Sequence, residues 1–487
     1  MRQITIDPIT RLEGHGKIEI FLRDDGDVEN VYFQVPELRG FEKFCEGRPV
    51  EELSQIVTKI CGVCPGCHHM ASGKAADAVF GVEPPPTARK LRELFYMAHF
   101  VHSHIAHFYA LAAPDFVVGP TAPAAERNVL GVIAKVGKEI GSEVLKQRRL
   151  AQEIQALLGG HQTHVVMNVP GGVRKGLNEA ERDSIVTKAK GFIEFAQFSL
   201  KVFNDVVLGN ETYVDLILNG PYNLNIYSMG LVDENNKVNF YDGKVRVVDP
   251  EGKEHCRYAP ADYMDYVEER VEAWSYLKFP YLKKVGWNGF TEGMNSGVYQ
   301  ATPLSRLNAA DGMATPLAQI EYERMYKTLG GKPVHATLAM HWARLVELLY
   351  SAERCLELAE DPDIIKNDLR ASLNNTPSEG VGIVEAQRGT LTHHYWTDNK
   401  GLVTKVNIIV GTTNNNAAIC MSLKKAAQGL ISKGVEVDDG ILNMIEMAFR
   451  AYDPCFSCAT HSLPGQMPML VNFRDLDGRV LRSVQRD

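Results

Sequence analysis

Residues 17–34 alternate apolar and polar side chains. Lys17-Ile18-Glu19-Ile20-Phe21-Leu22 runs one way, Asp24-Asp25-Gly26-Asp27 breaks it, and Val28 to Phe33 returns. A period of two around an acidic, glycine-containing break predicts an antiparallel hairpin. From about residue 51 the pattern turns helical, interrupted at Pro84-Pro85-Pro86. Leu91, Leu94, Phe95, Ala98, Val101 and Ile105 then recur every three or four positions, the apolar stripe of a helix. Another long helix is expected over about 123–157, stopped by Gly159-Gly160, and helix resumes near 179 after the tight turn Pro170-Gly171-Gly172. Residues 236–256 alternate again around Tyr241-Asp242-Gly243 and Asp249-Pro250-Glu251-Gly252, which reads as a small β excursion, a surface flap. Helices over about 336–360, 414–432 and 438–450, strand-like runs over 381–385 and 402–410, and a terminal hairpin from Gln466 to Val484 complete the pattern. The fold class this predicts is α+β, predominantly α-helical, with a long-helix core and small peripheral hairpins. No repeat, low-complexity tract or linker divides the chain, so one compact unit is expected.

Composition narrows the function classes. With 487 residues, 45% hydrophobic and 23% charged, the chain can bury a large core. A net charge of −8 argues against a nucleic-acid partner. The N-terminus, Met1-Arg2-Gln3-Ile4-Thr5-Ile6-Asp7, has no apolar signal core, and no run of about 18 apolar residues is present to span a membrane. Nine cysteines, an odd and modest count, fit reduced thiols in the cytoplasm rather than a disulfide framework.

The chemistry sits in those cysteines. Asp453-Pro454-Cys455-Phe456-Ser457-Cys458-Ala459-Thr460-His461 places two thiols and an imidazole close together, and Lys59-Ile60-Cys61-Gly62-Val63-Cys64-Pro65-Gly66-Cys67-His68 answers it far upstream. Thiolates at this density favour soft or borderline metals. Zinc-ribbon knuckles normally lie about 15–20 residues apart, whereas Cys64 and Cys455 are 391 apart (455 − 64). Cys61, Cys64 and Cys67 open like a ferredoxin cluster run, but its fourth position is Ala71. The third reading is a four-thiolate catalytic metal site with nearby charged residues as proton carriers. Cys45, Cys256, Cys355 and Cys420 are scattered and read as small core or surface residues. His99, His102, His104 and His107 share no single helix face and read as core histidines rather than a metal row. Taken alone, Arg11-Leu12-Glu13-Gly14-His15 suits a strand-entry turn with a surface ion pair, and Arg39-Gly40-Phe41-Glu42 a surface charge.

These stretches together resemble the large, catalytic subunit of nickel–iron hydrogenases, over essentially the whole chain. The N-terminal pattern RxCGxCxxxH appears as Lys59-x-Cys61-Gly62-x-Cys64-x-x-x-His68, with Lys in place of Arg, and DPCxxCxxH is complete from Asp453 to His461. Arg11-x-Glu13-Gly14-His15, Arg39-Gly40-x-Glu42, His107-Phe108-Tyr109 with Asp115, and Ala386-x-Arg388-Gly389 follow in the family's order. Each is weak alone, and their ordered occurrence together is specific. It overturns the bland readings of Glu13 and Glu42.

The resemblance implies reversible heterolytic cleavage of H2, which needs a Lewis acid and an adjacent base. By position, Cys61 and Cys455 would be terminal nickel ligands, and Cys64 and Cys458 would bridge nickel and an iron carrying one carbon monoxide and two cyanides. Glu13 would relay the proton from Cys455. Arg388 would hold its guanidinium over the metals, with Asp115 as its charge partner, and Thr412 would bond a cyanide. Glu42 and His461 would hold a structural Mg2+. Iron–sulfur clusters would lie only on a partner small subunit, with further electron-acceptor subunits beyond it. A maturation endopeptidase would cut after His461, leaving a domain of 1–461 and releasing the extension 462–487. The Cys-Pro-Gly-Cys variant and the ending Cys-Ala-Thr-His resemble the cytoplasmic branch, whose members reduce a nicotinamide cofactor, a deazaflavin, sulfur or a heterodisulfide reductase. No dinucleotide-type glycine-rich loop follows a strand, so acceptor chemistry is expected on other subunits. Two alternatives stand beside this. A respiratory complex I subunit shares the fold but lacks the cysteines. A metal-storage or zinc-ribbon module predicts zinc and no activity, and elemental analysis for nickel and iron separates it.

Overall fold

The predicted hairpin is present and gains a third strand. Arg2–Ile6 pairs antiparallel with Lys17–Leu22, which pairs antiparallel with Val28–Gln34. Ile18, Ile20 and Leu22 face inward, while Lys17, Glu19 and Phe21 stay partly exposed. The structure, a computed structural model, describes residues 2–35, 37, 39–460, 469–475 and 479–486.

Long helices build the main core. Met340–Glu360 packs against Glu179–Phe203 and Pro86–Ala106, and Pro86–Ala106 also packs against Lys138–Gly159. Met340–Glu360 is buried along nearly all of its length, which explains why its sequence is apolar on most faces. Glu179–Phe203 starts from a capping box: Asn178 Oδ1 accepts from Glu181 N, and the Glu181 carboxylate accepts from Asn178 N. The histidines of Pro86–Ala106 lie inside, as expected. Burial pushes His99 and His104 down to about 4, so they pack as neutral rings.

A second layer carries the site. Pro65–Val79 lies on the antiparallel sheet Glu379–Ala386, Gly389–Thr397, Val403–Ile409. Two glycines permit this contact. A Cβ on Gly382 would sit 2.1 Å from Ala71 O, and one on Gly380 would sit 2.4 Å from Ala75 O. A mixed sheet, ordered Tyr299–Gln300, Tyr227–Val232, Lys244–Val248, Glu254–Tyr258, lies beyond it. Arg306 ties the parts together. Fully buried, it donates from Nε to Glu347 Oε1 (2.7 Å) on the central helix and from Nη1 to Glu385 Oε2 (2.9 Å) on the sheet.

Three expectations change. The helix expected over 123–157 is two, Val129–Val136 and Lys138–Gly159, because Gly137 adopts φ 95° between them. Residues 236–256 are no flap: Lys244–Val248 is an inner strand whose Val245 and Val247 are buried. Gly389–Thr397 is a strand the alternation did not reveal. It is the middle strand of its sheet, buried on both faces for most of its length, and so has no period of two. The terminal alternation does form a hairpin, Met469–Arg474 pairing antiparallel with Val480–Arg486.

The glycine contact generates a stability prediction. Gly382→Ala pushes a methyl group into helix backbone that cannot rotate away, and should destabilise the protein by about 1–3 kcal/mol. A lowered midpoint in thermal or denaturant unfolding checks this; an unchanged midpoint contradicts the tight seat.

Candidate metal centre

Two turns supply the thiols. Cys61 and Cys64 flank a bend between the 3-10 turn Val57–Ile60 and the helix Pro65–Val79, with Pro65 at the first helical position. Cys455 and Cys458 sit at the start and within the short helix Phe456–Ala459. All four are buried, and their Sγ atoms lie within 4.8 Å of one another. Cys61 and Cys455 are 3.2 Å apart, Cys64 and Cys458 3.2 Å, and Cys455 and Cys458 3.0 Å.

The N-terminal strand entry closes against this turn. Glu13 and Cys455 form a parallel β-bridge, and Phe456 N donates to Glu13 O at 3.1 Å. Gly14, at φ 86°, makes the approach possible: a Cβ there would lie 3.0 Å from Phe456 Cβ and from Ser457 N. Cys455 Sγ donates to Glu13 Oε2 (2.9 Å), and Ser457 N donates to the same oxygen (3.2 Å). Burial, then the charge of Cys61, raises the Glu13 carboxyl above its usual value.

The thiols do not share protons evenly. Hydrogen bonds from Cys455, Cys458 and Cys64 pull Cys61 well below the usual thiol value, while burial pushes Cys455 and Cys458 well above it. A metal cation removes that conflict, because coordination deprotonates thiols outright. The donor set therefore fits a soft or borderline metal centre.

Charged groups and a cavity set the site apart from a closed structural zinc. Arg388 donates from Nε to Asp453 O (2.6 Å) and from Nη2 to Asp453 Oδ1 (3.2 Å). Burial alone would lower the Arg388 pKa. Asp453 and then the sulfurs of Cys64, Cys455 and Cys61 outweigh it and hold the guanidinium charged. Arg388 Nη1 is buried without an acceptor among the described residues. A largely apolar cavity of about 380 Å³ reaches Glu13, Arg388 and Asp453 from between the helices Val129–Val136 and Lys138–Gly159. Thr412 Oγ1 accepts from Cys455 N at 3.1 Å.

One expected pairing is corrected. Asp115 is not the partner of Arg388. It accepts from Arg11 Nη2 (2.5 Å), Arg450 Nη1 (2.8 Å) and Asn443 Nδ2 (3.1 Å). Past Ala106 the helix widens into the π-helical segments His107–Ala112 and Pro114–Val118, which turns Asp115 toward those groups. Arg388 instead takes Asp453, whose φ of 52° presents carbonyl and carboxylate together. Asp115 thus anchors Arg11, two residues before Glu13. Arg11, which taken alone suggested a surface ion pair with Glu13, pairs instead with the buried Asp115.

Glu42 Oε1 accepts from Ile408 N (2.8 Å) on the sheet edge. His461 lies outside the described residues. Sequence reasoning left two neighbours without roles. His68 Nε2 lies 3.4 Å from Cys458 Sγ, and Cys67 Sγ donates to Gln387 Oε1 at 2.9 Å. The signal for His68 was available, since four residues after Cys64 is one helical turn.

The chain has extensive relatives. A nickel-dependent hydrogenase family model matches residues 39–136 and 142–461, and a HoxL-like model matches residues 3–38. An F420-non-reducing hydrogenase iron-sulfur subunit from Archaeoglobus profundus is 48% identical over 485 residues, covering 100% of both chains. The NAD-reducing hydrogenase HoxS subunit beta of Cupriavidus necator is 38% identical over 494 residues, covering 99% of each. The crystal structure of an NAD+-reducing NiFe-hydrogenase in the H2-reduced state aligns with a TM-score of 0.89 at 37% identity, covering 95% of this chain and 100% of that one. Likeness that spans both turns and the core between them admits one assignment: the chain belongs to the nickel-dependent hydrogenase family, as its catalytic large subunit.

Proposed function

We propose that Cys61, Cys64, Cys455 and Cys458 hold the nickel–iron centre at which this protein cleaves and forms H2. Cys61 and Cys455 would hold the nickel alone, Cys64 and Cys458 would hold nickel and iron together, and the iron would bring one carbon monoxide and two cyanides with it. The observation that carries this reading is the convergence of four buried thiols within 4.8 Å, with Glu13 hydrogen-bonded to one of them.

When bound, the metals supply the Lewis acid that polarises H2 toward heterolysis. The chain's own residues handle the proton and the surroundings. Cys455 Sγ passes a proton to Glu13 Oε2 across 2.9 Å, and Ser457 N holds that oxygen in place. Burial raises the carboxyl's proton affinity above its usual value, which favours its taking up a proton. Arg388 cannot surrender its proton and stays a fixed donor at the inner end of the cavity. Thr412 accepts from Cys455 N, which leaves its own hydroxyl hydrogen to donate to a cyanide. The apolar cavity admits a small gas and disfavours water.

Glu42 and His461 are proposed as magnesium ligands. A carboxylate suits magnesium. Arg39 N donates to Thr460 O at 2.9 Å, which sets the chain just before His461 beside the helix that carries Glu42. Among the described residues the four-thiol group is the one cluster suited to a metal. Electrons therefore leave through iron–sulfur clusters on a partner subunit, and onward to further acceptor subunits. The two relatives are named for different acceptor chemistries, NAD-reducing and F420-non-reducing, which supports acceptor choice residing outside this chain. No described helix is long and apolar enough to cross a membrane. The likeness to these relatives supports a cytoplasmic site of action. Residues 462–487 are proposed to be removed by an endopeptidase after His461, a reading supported by the family match ending at residue 461.

Three outcomes are expected. Cys455→Ser should abolish both nickel retention and H2-dependent dye reduction; elemental analysis showing full nickel with full activity would refute the assignment. Glu13→Gln preserves shape and removes the carried proton, so H/D exchange and turnover should fall by about 10²–10⁴ while nickel stays bound; normal exchange would assign the relay elsewhere. Intact mass of the active enzyme should correspond to a chain ending at His461; active enzyme that retains Asp487 would sink the maturation reading.

A further inference from the structure

Behind Cys458 runs a hydrogen-bonded row of side chains that the proton chemistry above does not use. His68 Nε2 lies 3.4 Å from Cys458 Sγ, and His68 Nδ1 lies 3.1 Å from His393 Nε2. His393 Nδ1 lies 2.6 Å from Tyr395 Oη, which in turn lies 2.8 Å from Ser72 Oγ. All five residues are buried. The row ends at Ser72, inside the helix Pro65–Val79, so it leads to no solvent.

We infer that His393 and Tyr395 are positioning residues for the metal centre, acting through His68 to fix the hydrogen bond on the Cys458 sulfur. This rests on the proposed ligand role of Cys458. An imidazole with one nitrogen on a sulfur can rotate or slide unless its other nitrogen is held, and supporting partners of this kind tune metal ligands. Here the hold is rigid, because His393 and Tyr395 share one face of the strand Gly389–Thr397 and Ser72 is on the helix packed against it.

Every internal member both gives and takes a hydrogen. With its hydrogens turned one way, the row offers His68 Nε2 as an acceptor to a thiol. Turned the other way, it offers Nε2–H as a donor to a thiolate, and no member changes charge. The adjacent His394 points to the opposite face, toward Tyr263 Oη (3.1 Å) and Glu379 Oε1 (2.7 Å), and takes no part.

A hydrogen bond donated to a ligating sulfur withdraws charge and raises the centre's reduction potential. The test uses the purified hydrogenase complex and reads nickel content, the nickel EPR spectrum and its midpoint potential. Tyr395→Phe should keep nickel content at the wild-type level, alter the EPR g-values and shift the midpoint to a more negative value. Ser72→Ala should shift it the same way by less. His68→Gln should shift it further, and adding Tyr395→Phe to His68→Gln should add nothing. His394→Gln should leave spectrum and potential unchanged. A fully loaded Tyr395→Phe or Ser72→Ala enzyme with the wild-type spectrum and potential, or a double variant whose shifts add, would overturn the inference. Cys458→Ser separates the premise, since retention of nickel with an unchanged spectrum would remove Cys458 as a ligand.

Discussion

Two stretches of chain must meet for any of this chemistry to exist. Cys61 and Cys455 are separated by 394 positions, as are Cys64 and Cys458, yet each pair closes to 3.2 Å. Buried thiols do not hold themselves together, because burial opposes their ionisation and Cys64, Cys455 and Cys458 all hold their protons more tightly than a free thiol. The scaffold has to impose the meeting. It does so from the N-terminal sheet, where Glu13 in the connection between the first two strands bridges to Cys455 and Phe33 of the third strand packs at 5.0 Å against Phe456. The strand entry is thus a wall of the site rather than a peripheral decoration.

The same low-dielectric interior must tolerate many ions, and it does so by pairing them. Arg306 pairs with Glu347 and Glu385, Asp115 with Arg11 and Arg450, and Asp453 with Arg388. Removing one member of such a buried set strands its partner at a cost of about 3–5 kcal/mol. Glutamates show how environment divides their roles. Burial alone would raise Glu347, but Arg306 and His104 outweigh it and hold its carboxylate below the usual range. Glu13 faces sulfur and backbone N–H rather than a guanidinium, and burial leaves its proton affinity raised. One carboxylate is kept as a structural charge and the other as a proton carrier.

Much of the framework is legible in the sequence alone. The period of two over 17–34 and the apolar stripe over 91–105 correspond to the hairpin and to the helix Pro86–Ala106. What escapes detection are elements whose surroundings erase the period. Tyr227–Val232 is buried at every position and Gly389–Thr397 at all but its last two, so neither alternates. The split at Gly137 also escapes, because a glycine within a helical pattern does not declare whether its φ turns positive.

At the site, the sequence by itself marked the four thiols, because soft ligands in short spacings are legible without a fold, and its resemblance to the hydrogenase family added Glu13, Arg388 and Thr412 as candidates. It did not determine who faces whom. Asp115 was matched to Arg388, whereas the widened helix end gives Asp115 to Arg11 and Arg450 and leaves Arg388 to Asp453. His393 and His394 are adjacent in the chain, yet one meets His68 and the other meets Tyr263 and Glu379. Only strand register against a distant helix distinguishes them. The physical reason is one of range: ligand type and local period are written along the covalent chain, while hydrogen-bond partners are chosen across gaps of about 3 Å that only the packed fold creates.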